Sequence, residues 1–198
     1  EMIKSRLRVR GLITLLWVTI TSLGMVFVNN QIQQEVVFTD PALEQGVRAV
    51  IEKPEGKIYK HQLLSIIELD LSGLSIERLD GIDAARNLRV LNLSGNQIQD
   101  LIQISRLKKL QKLNLSGNQI SDLSPLSDNK GLTELILRQN SITDISPIEK
   151  IRKLEILDLS RNEIVYVASV RNLNNLKELN LRQNQIKDIS AVAGLSKL

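Results

Sequence analysis

Few residues in this chain of 198 amino acids are suited to catalysis or metal binding. The sequence holds one histidine, His61, and no cysteine. A nucleophile–base pair or a zinc site needs several such side chains, so we expect neither. His61 is interpreted as a surface residue, and the chain as a protein without cofactors that is not an enzyme.

Acidic residues do recur at a fixed interval, at Asp100, Asp122, Asp144 and Asp188. A ladder of carboxylates is a conceivable calcium site. Two of these residues, however, precede Leu-Ser-Pro or Ile-Ser-Pro and the others similar turns, where a carboxylate accepts nearby backbone N–H groups. We therefore interpret the column as turn caps and predict no metal site.

The same interval of 22 residues governs the chain from residue 66 onward, without insertion or deletion. We number the positions of the repeat so that position one falls at residues 66, 88, 110, 132, 154, 176 and 198. Leucine fills position four at Leu69, Leu91, Leu113, Leu135, Leu157 and Leu179, and position six at Leu71, Leu93, Leu115, Leu137, Leu159 and Leu181. A fixed period with several invariant columns is the signature of a solenoid, whose coils bury their apolar edges by stacking.

Each repeat contains a short alternating run such as Leu113-Asn114-Leu115, which predicts a strand. In a stacked parallel sheet, positions four and six face the core and positions three, five and seven face the concave side. Asparagine fills position nine, where the chain turns away from the strand, at Asn96, Asn118, Asn140, Asn162 and Asn184. An amide both donates and accepts, which favours a buried ladder of hydrogen bonds between turns. Turn propensity alone is the alternative explanation.

The rest of each repeat reads Asp122-Leu123-Ser124-Pro125 or similar and leaves about ten residues for the return. This length favours short turns over full helices on the convex side. The predicted fold is an α/β solenoid with one parallel sheet on its concave face, a helical N-terminal cap and an N-terminal apolar helix. The predicted divisions are residues 1–30 for targeting, 31–37 as linker, 38–65 as cap and 66–198 as six repeats with the start of a seventh.

The cap prediction rests on one helix. Asp40 suits the N-cap position, and Pro41 suits the first helical residue. An apolar face follows at Leu43, Val47, Val50 and Ile51. The first repeat holds Leu74 in place of the asparagine, and we expect Leu74 to pack against the cap helix.

The N-terminus combines Lys4, Arg6, Arg8 and Arg10 with an uncharged stretch over residues 11–28. Such a stretch is long enough to span a bilayer and is also compatible with a signal peptide; a buried core helix is a weaker alternative. In both leading cases the repeats face away from the cytoplasm, either anchored to the membrane or secreted to the cell surface. Since the sequence stops at the opening residue of a repeat, we expect further repeats or another domain beyond it.

Net charge gives no support for nucleic-acid binding. The formal charge is +4, but residues 1–30 hold four basic residues and one acidic residue. The remainder carries 22 basic and 21 acidic residues. We therefore expect a protein partner and no nucleic acid.

The repeat Leu-x-x-Leu-x-Leu-x-x-Asn-x-Ile-x-Asp-Leu-Ser-Pro-Leu resembles the bacterial leucine-rich repeats of the internalin family, and residues 37–48 resemble the helical cap before such repeats. The likeness covers roughly residues 36–198. It implies a non-enzymatic recognition surface, often displayed outside the cell. It implies no ligand, because the concave residues are where family members differ.

The concave positions change along the chain. Early repeats carry mostly small or polar residues there, whereas later repeats combine apolar and charged groups, a composition typical of interface hot spots. The candidate ligand-binding residues are Ile136, Arg138, Ile156, Asp158, Glu178, Asn180 and Arg182. Drift between repeats, with Ile favoured by strand propensity, is the competing explanation.

The sequence therefore predicts an exported, cell-surface module for protein recognition or adhesion. The alternative is a sensor or targeting arm of a larger membrane protein or enzyme whose other domain lies outside this sequence. Neither hypothesis identifies the ligand.

Overall fold

A computed structural model describes residues 34–198 of the chain. The predicted apolar helix and the basic residues before it lie outside the described residues. From residue 66 onward the chain forms a stack of coils, each with one strand and one 3₁₀ turn, that repeats once every 22 residues.

Two helices precede the repeats. Helix α1 spans Pro41–Val50, and helix α2 spans Lys60–Leu63. The predicted start of α1 is confirmed, since the Asp40 side chain accepts hydrogen bonds from the N–H groups of Ala42 and Leu43. Leu43 and Val47 are buried as predicted. Val50 is not, with 47% of its surface exposed, because α1 ends at this residue.

The cap helix lies directly on the first coil. A Cβ atom on Gly46 would collide with a methyl group of Leu71 and would lie 3.0 Å from one of Leu74. Glycine at this point of α1 therefore permits close approach to the coil. Leu74 lies against the cap helix as predicted, and its backbone N–H still donates to Asn96.

Six short strands follow, one per coil, in a single parallel sheet whose spatial order is the sequence order. They are β1 Glu68–Asp70, β2 Val90–Asn92, β3 Lys112–Asn114, β4 Glu134–Ile136, β5 Ile156–Asp158 and β6 Glu178–Asn180. Each residue pairs with the residue one period later, as Leu91 does with Leu113. The strands cover positions three to five, so position seven follows the strand rather than belonging to it.

The core is a column of leucine and isoleucine side chains between the sheet and the turns. Position-four and position-six leucines are fully buried in the first five coils. In the sixth, Leu179 and Leu181 are only partly buried because β6 is the edge strand of the described sheet. The predicted inward direction of these positions is confirmed.

The convex side carries 3₁₀ turns instead of full helices, in agreement with the predicted short turns. They span Ile82–Ala84, Ile104–Arg106, Ser124–Asp128, Ser146–Lys150, Ala168–Asn172 and Ser190–Val192. A return of this length adds little bulk to the convex side. The concave sheet is therefore the broad surface that the coils present together.

Candidate functional site

The described part of the chain contains no cluster suited to metal binding. No group of three or more His, Cys, Asp or Glu side chains among residues 34–198 is placed to hold a metal ion. His61 stacks on Tyr59, with ring centroids 6.0 Å apart and planes inclined by 11°. The position-thirteen aspartates behave as predicted, because each accepts the backbone N–H two residues later at 2.8 Å.

Hydrogen bonds in these turns also lower the pKa values of two of the aspartates. At Asp122, the Ser124 hydroxyl and backbone N–H hold the carboxyl pKa below its usual value. At Asp188, the backbone N–H and hydroxyl of Ser190 have the same effect on the pKa. These carboxylates are therefore engaged within their own turns.

The strand register brings the predicted concave residues of the last three coils together. Ile136 of β4 is in register with Asp158 of β5, which is in register with Asn180 of β6. Ile156 is in register with Glu178 on the neighbouring strand. Arg138 and Arg182 occupy position seven, just past the ends of β4 and β6. The seven predicted residues thus form one continuous area, which we call the late concave patch.

Members of the late concave patch differ in how free their side chains are. Asp158 accepts the Ser160 N–H at 2.8 Å with one oxygen and the Asn180 amide at 3.1 Å with the other. Asn180 in turn accepts the N–H of Arg182 at 3.2 Å. By contrast, the side chains of Arg138, Glu178 and Arg182 make no hydrogen bond or ion pair with any residue from 34 to 198.

The two isoleucines of the patch are half-buried, although the sequence suggested exposed side chains. Each lies between neighbouring strands, where adjacent outward side chains cover part of its surface. Their accessible parts lie among polar and charged groups. An apolar surface bordered by uncommitted arginines is suited to contact with another protein.

The position-nine asparagines lie just after the strands and hydrogen-bond the backbone of adjacent coils. Asn118 accepts the N–H of Ile98 at 3.0 Å and donates to the carbonyls of Leu93 and Leu115 at 2.9 and 3.0 Å. The same bonds recur at one-period intervals at Asn96, Asn140, Asn162 and Asn184. Each amide therefore connects its own coil to the preceding one.

Asp40 makes a comparable connection between the cap and the first coil. Its second carboxylate oxygen accepts the N–H groups of Glu77 and Arg78 at 2.8 and 3.0 Å. Burial raises the pKa of Asp40, but the four backbone donors outweigh burial and leave the pKa below its ordinary value. Sequence reasoning found the helix-capping role of Asp40 and missed this longer-range one.

Position eight holds a second set of residues that sequence reasoning missed. Gly73, Gly95 and Gly117 have φ angles of 68°, 67° and 64° there. In the later coils Gln139, Arg161 and Gln183 keep the same left-handed backbone, with φ of 58°, 56° and 55°. The signal was available in the sequence as a change from glycine to long polar residues in one column.

Tyr166 is a further departure that the sequence analysis overlooked. It stands at position thirteen, where four other coils have the capping aspartate, and 81% of its surface is exposed. The fifth coil has therefore exchanged a turn cap for an exposed aromatic ring. Together with the late concave patch, this places the unusual residues of the solenoid in its later coils.

None of the helices described between residues 34 and 198 is long and apolar enough to cross a membrane.

Comparison with protein families agrees with the repeat. A family model described as "Leucine Rich repeats (2 copies)" matches residues 86–128 and 130–174, and a model described as "Leucine Rich repeat" matches residues 172–193. A search of the curated proteins found no match.

Solved structures of bacterial proteins share the fold. An internalin, inlF, from Listeria monocytogenes is 34% identical, with a TM-score of 0.80 over 82% of this chain and 48% of that chain. An internalin C2 from the same species is 29% identical, with a TM-score of 0.65 over 82% of each chain. A leucine-rich repeat protein of Leptospira interrogans is 31% identical, with a TM-score of 0.59 over 63% of this chain and 33% of that chain. The chain spans about half the length of inlF.

Proposed function

Since this chain belongs to the leucine-rich repeat family and is similar to the internalins, we propose that it is a non-enzymatic recognition module whose late concave patch binds a protein partner. The fold is typically a binding scaffold. The single observation that carries the proposal is the juxtaposition of Ile136 and Ile156 with the uncommitted side chains of Arg138 and Arg182. The early coils present no such combination.

The concave face of the early coils serves as the comparison for the late concave patch, because its polar side chains are bonded locally. Asn92 and Asn114 occupy position five there, and their side chains accept the N–H groups of Ser94 and Ser116 at 3.1 and 3.0 Å. Groups that are satisfied locally have less to offer a partner, because binding must first break or share those bonds. The early face therefore supports the sheet rather than the interaction.

Photo-crosslinking tests where the partner binds. A photo-reactive amino acid introduced at Ile136 is expected to capture a partner protein from the cell surface or medium in which the protein acts. The same amino acid at Asn92 is the matched control. Capture at Asn92 alone, or equally at both positions, would contradict the proposed location.

Once the partner is isolated, mutants measure the contribution of the patch. Ile136→Ser combined with Arg138→Ala is expected to weaken binding at least about tenfold, because truncating hot-spot residues typically has effects of that size. Asn92→Ala combined with Asn114→Ala should change the affinity little. Equal losses in the two pairs, or the reverse order, would place the binding surface elsewhere.

The proposed place of action is outside the cytoplasm. Support comes from the sequence of residues 4–28, where four basic residues precede an uncharged stretch. Protease added to intact cells is expected to digest the repeats. Digestion only after lysis would contradict export and would leave the proposed binding surface untouched.

A further inference from the structure

The later coils retain a left-handed backbone at position eight although they have lost the glycine that suits it. Residues with a side chain rarely adopt this conformation, because Cβ then approaches the following carbonyl oxygen. Gln139, Arg161 and Gln183 adopt it in three successive coils. Local strain of this kind persists where the surrounding structure imposes it, and it is frequent at functional sites.

Space does not explain why the early coils use glycine. A Cβ atom on Gly95 would meet no atom closer than 3.8 Å, and one on Gly117 none closer than 3.6 Å. Nothing lies within 4 Å of such an atom on Gly73. Glycine is therefore used for its backbone angle, and the long polar residues of the later coils are not required by packing.

The replacements coincide with a second change at the neighbouring position. Position seven is serine in the first three coils, whereas the fourth and sixth coils have Arg138 and Arg182. With position eight this makes a line of long polar side chains along the edge of the concave face. We call it the arginine ridge and define it as Arg138, Gln139, Arg161, Arg182 and Gln183, all of which are exposed.

Backbone hydrogen bonds hold the arginine ridge together. The N–H of Arg161 donates to the carbonyl of Arg182 at 2.9 Å, and the N–H of Gln139 donates to the carbonyl of Ser160 at 2.9 Å. The Arg161 guanidinium also donates to the side-chain oxygen of Gln183 at 2.7 Å. Adjacent coils are ~4.8 Å apart at the sheet, so the three arginines lie within a short stretch of surface.

The arginine ridge carries positive charge that the described part of the chain does not neutralise. Among residues 34–198, none of the three arginines takes part in an ion pair. Asp158, a strand carboxylate of the same coils, is already bonded to Ser160 and Asn180. Exposed guanidinium groups in a row pair readily with carboxylates, often through two hydrogen bonds each.

We propose that the arginine ridge binds the carboxylates of an extended, acidic segment of the protein partner, while the isoleucines of the late concave patch contact its apolar side chains. This inference rests on the proposed function and specifies the chemistry of the partner. A polyphosphate chain fits less well, because it has no apolar groups to contact the half-buried side chains of Ile136 and Ile156. Charge complementarity selects an acidic peptide segment as the occupant.

Two labelled peptides test the proposal with the protein as it exists. One alternates Glu with Val, and the other alternates Gln with Val. Fluorescence anisotropy is expected to show at least about tenfold tighter binding of the Glu peptide, with an affinity that falls as salt is added. Equal affinities for the two peptides, or tighter binding of a single-stranded oligonucleotide, would overturn the proposal.

Reversion of the ridge to the residues of the early coils supplies the decisive variant. Arg138→Ser, Arg161→Gly and Arg182→Ser together should reduce the affinity for the Glu peptide at least about tenfold and leave the Gln peptide unaffected. A matched variant removes three cations elsewhere, with Lys130→Ser, Arg152→Ser and Lys153→Gly, and should bind as the wild type does. Equal losses in both variants would mean that only total charge matters and would overturn the ridge.

A second set of variants separates the ridge from simple stability. Gln139→Gly and Gln183→Gly relieve the left-handed strain, so the melting temperature should not fall. The affinity for the Glu peptide is nevertheless expected to drop several-fold. Unchanged affinity would overturn the part of the proposal that concerns position eight. A partner captured at Ile136 whose binding does not depend on its carboxylates would overturn the inference while the proposed function stands.

Discussion

Asp40 shows how much one side chain contributes to this molecule. Its carboxylate accepts four backbone N–H groups, two from the start of α1 and two from the first coil. The residue is 7% exposed, so water cannot replace these bonds without rearrangement of the chain. The orientation of the cap on the repeats therefore depends on an ionised carboxylate.

We expect Asp40→Ala to lower the free energy of unfolding by about 2–4 kcal/mol, as the sum of a lost helix cap and stranded buried donors. Urea denaturation followed by circular dichroism measures the change. Asp70→Ala is a suitable control, because Asp70 is exposed and its carboxylate interacts only with nearby groups of the concave face, the N–H and hydroxyl of Ser72 and the side chain of Asn92. A loss at Asp40 no larger than at Asp70 would contradict the bridging role.

The stability contributed by Asp40 should depend on pH. Because the pKa is lowered in the folded state, the contribution is fully present above the unfolded pKa of about 3.9 and is lost as pH falls through the folded value. Asn at this position cannot ionise and cannot accept with both side-chain atoms. The stability difference between wild type and Asp40→Asn should therefore narrow in acid, and a difference independent of pH would contradict this assignment.

Local sequence was enough to predict that Asp40 begins a helix, since the N-cap preference of aspartate and the proline after it involve adjacent residues. The bonds to Glu77 and Arg78 were beyond such reasoning, because they depend on how α1 docks on the first coil. The same limit applies to Asp158. Its position on the concave face followed from the repeat, whereas its engagement by Asn180 depends on side-chain conformation.

At the scale of the elements, the asparagine ladder compensates for strands of only three residues. Such short strands leave the turn after each strand with backbone groups that need partners. Asn140 satisfies three of them, accepting from Ile120 and donating to Leu115 and Leu137, all at 3.0 Å. The coil before it and the coil that contains it are thereby joined beyond the ends of the strands.

Asn140→Ala is accordingly expected to lower the free energy of unfolding by about 1–3 kcal/mol through stranded backbone groups. Denaturant melts of the two proteins provide the measurement. Asn92→Ala, which removes local bonds with Ser94 and Asp70 on the concave face, should have a smaller effect. If the Asn140→Ala variant unfolds at the same denaturant concentration as the wild type, turn propensity alone accounts for the asparagine column.

Most elements of this fold were predictable because each is specified six times. A leucine column that persists through the chain fixes the strand register, and the ten or so residues left over fix the brevity of the turns. What repetition did not reveal is the left-handed backbone of the later coils. Glycine at position eight indicates that conformation in the early coils, whereas Gln or Arg at the same position of the later coils does not by itself indicate it.

At the scale of the whole molecule, each coil depends chiefly on its two neighbours. The register pairs every strand residue with the equivalent residue of the next coil. Removal of one full period therefore brings equivalent residues together again, whereas removal of part of a period does not. The loss of stability caused by a deletion should therefore depend less on its length than on whether it removes a whole number of repeats.

Deletion of residues 110–131, one full coil, is expected to leave a cooperatively folding protein. Deletion of only residues 110–120 should be more damaging, because it removes β3 and leaves the apolar turn residues Leu123 and Leu126 without their strand. Thermal melts compare the two. Greater loss of stability in the longer deletion would contradict the view that neighbouring coils carry the stability.

The in-register stack has a consequence for the evolution of binding. Any two residues at the same position of the repeat are separated by a whole number of strand spacings of ~4.8 Å. The distance between two equivalent residues is therefore set by the number of coils between them. Duplication of a coil that precedes β4 in the chain would move the intact arginine ridge farther from the cap. Duplication within the last three coils would instead separate the arginines of the ridge from one another. Coil duplication can therefore change the distance between the cap and the binding surface one coil at a time, without changing the residues of the binding surface.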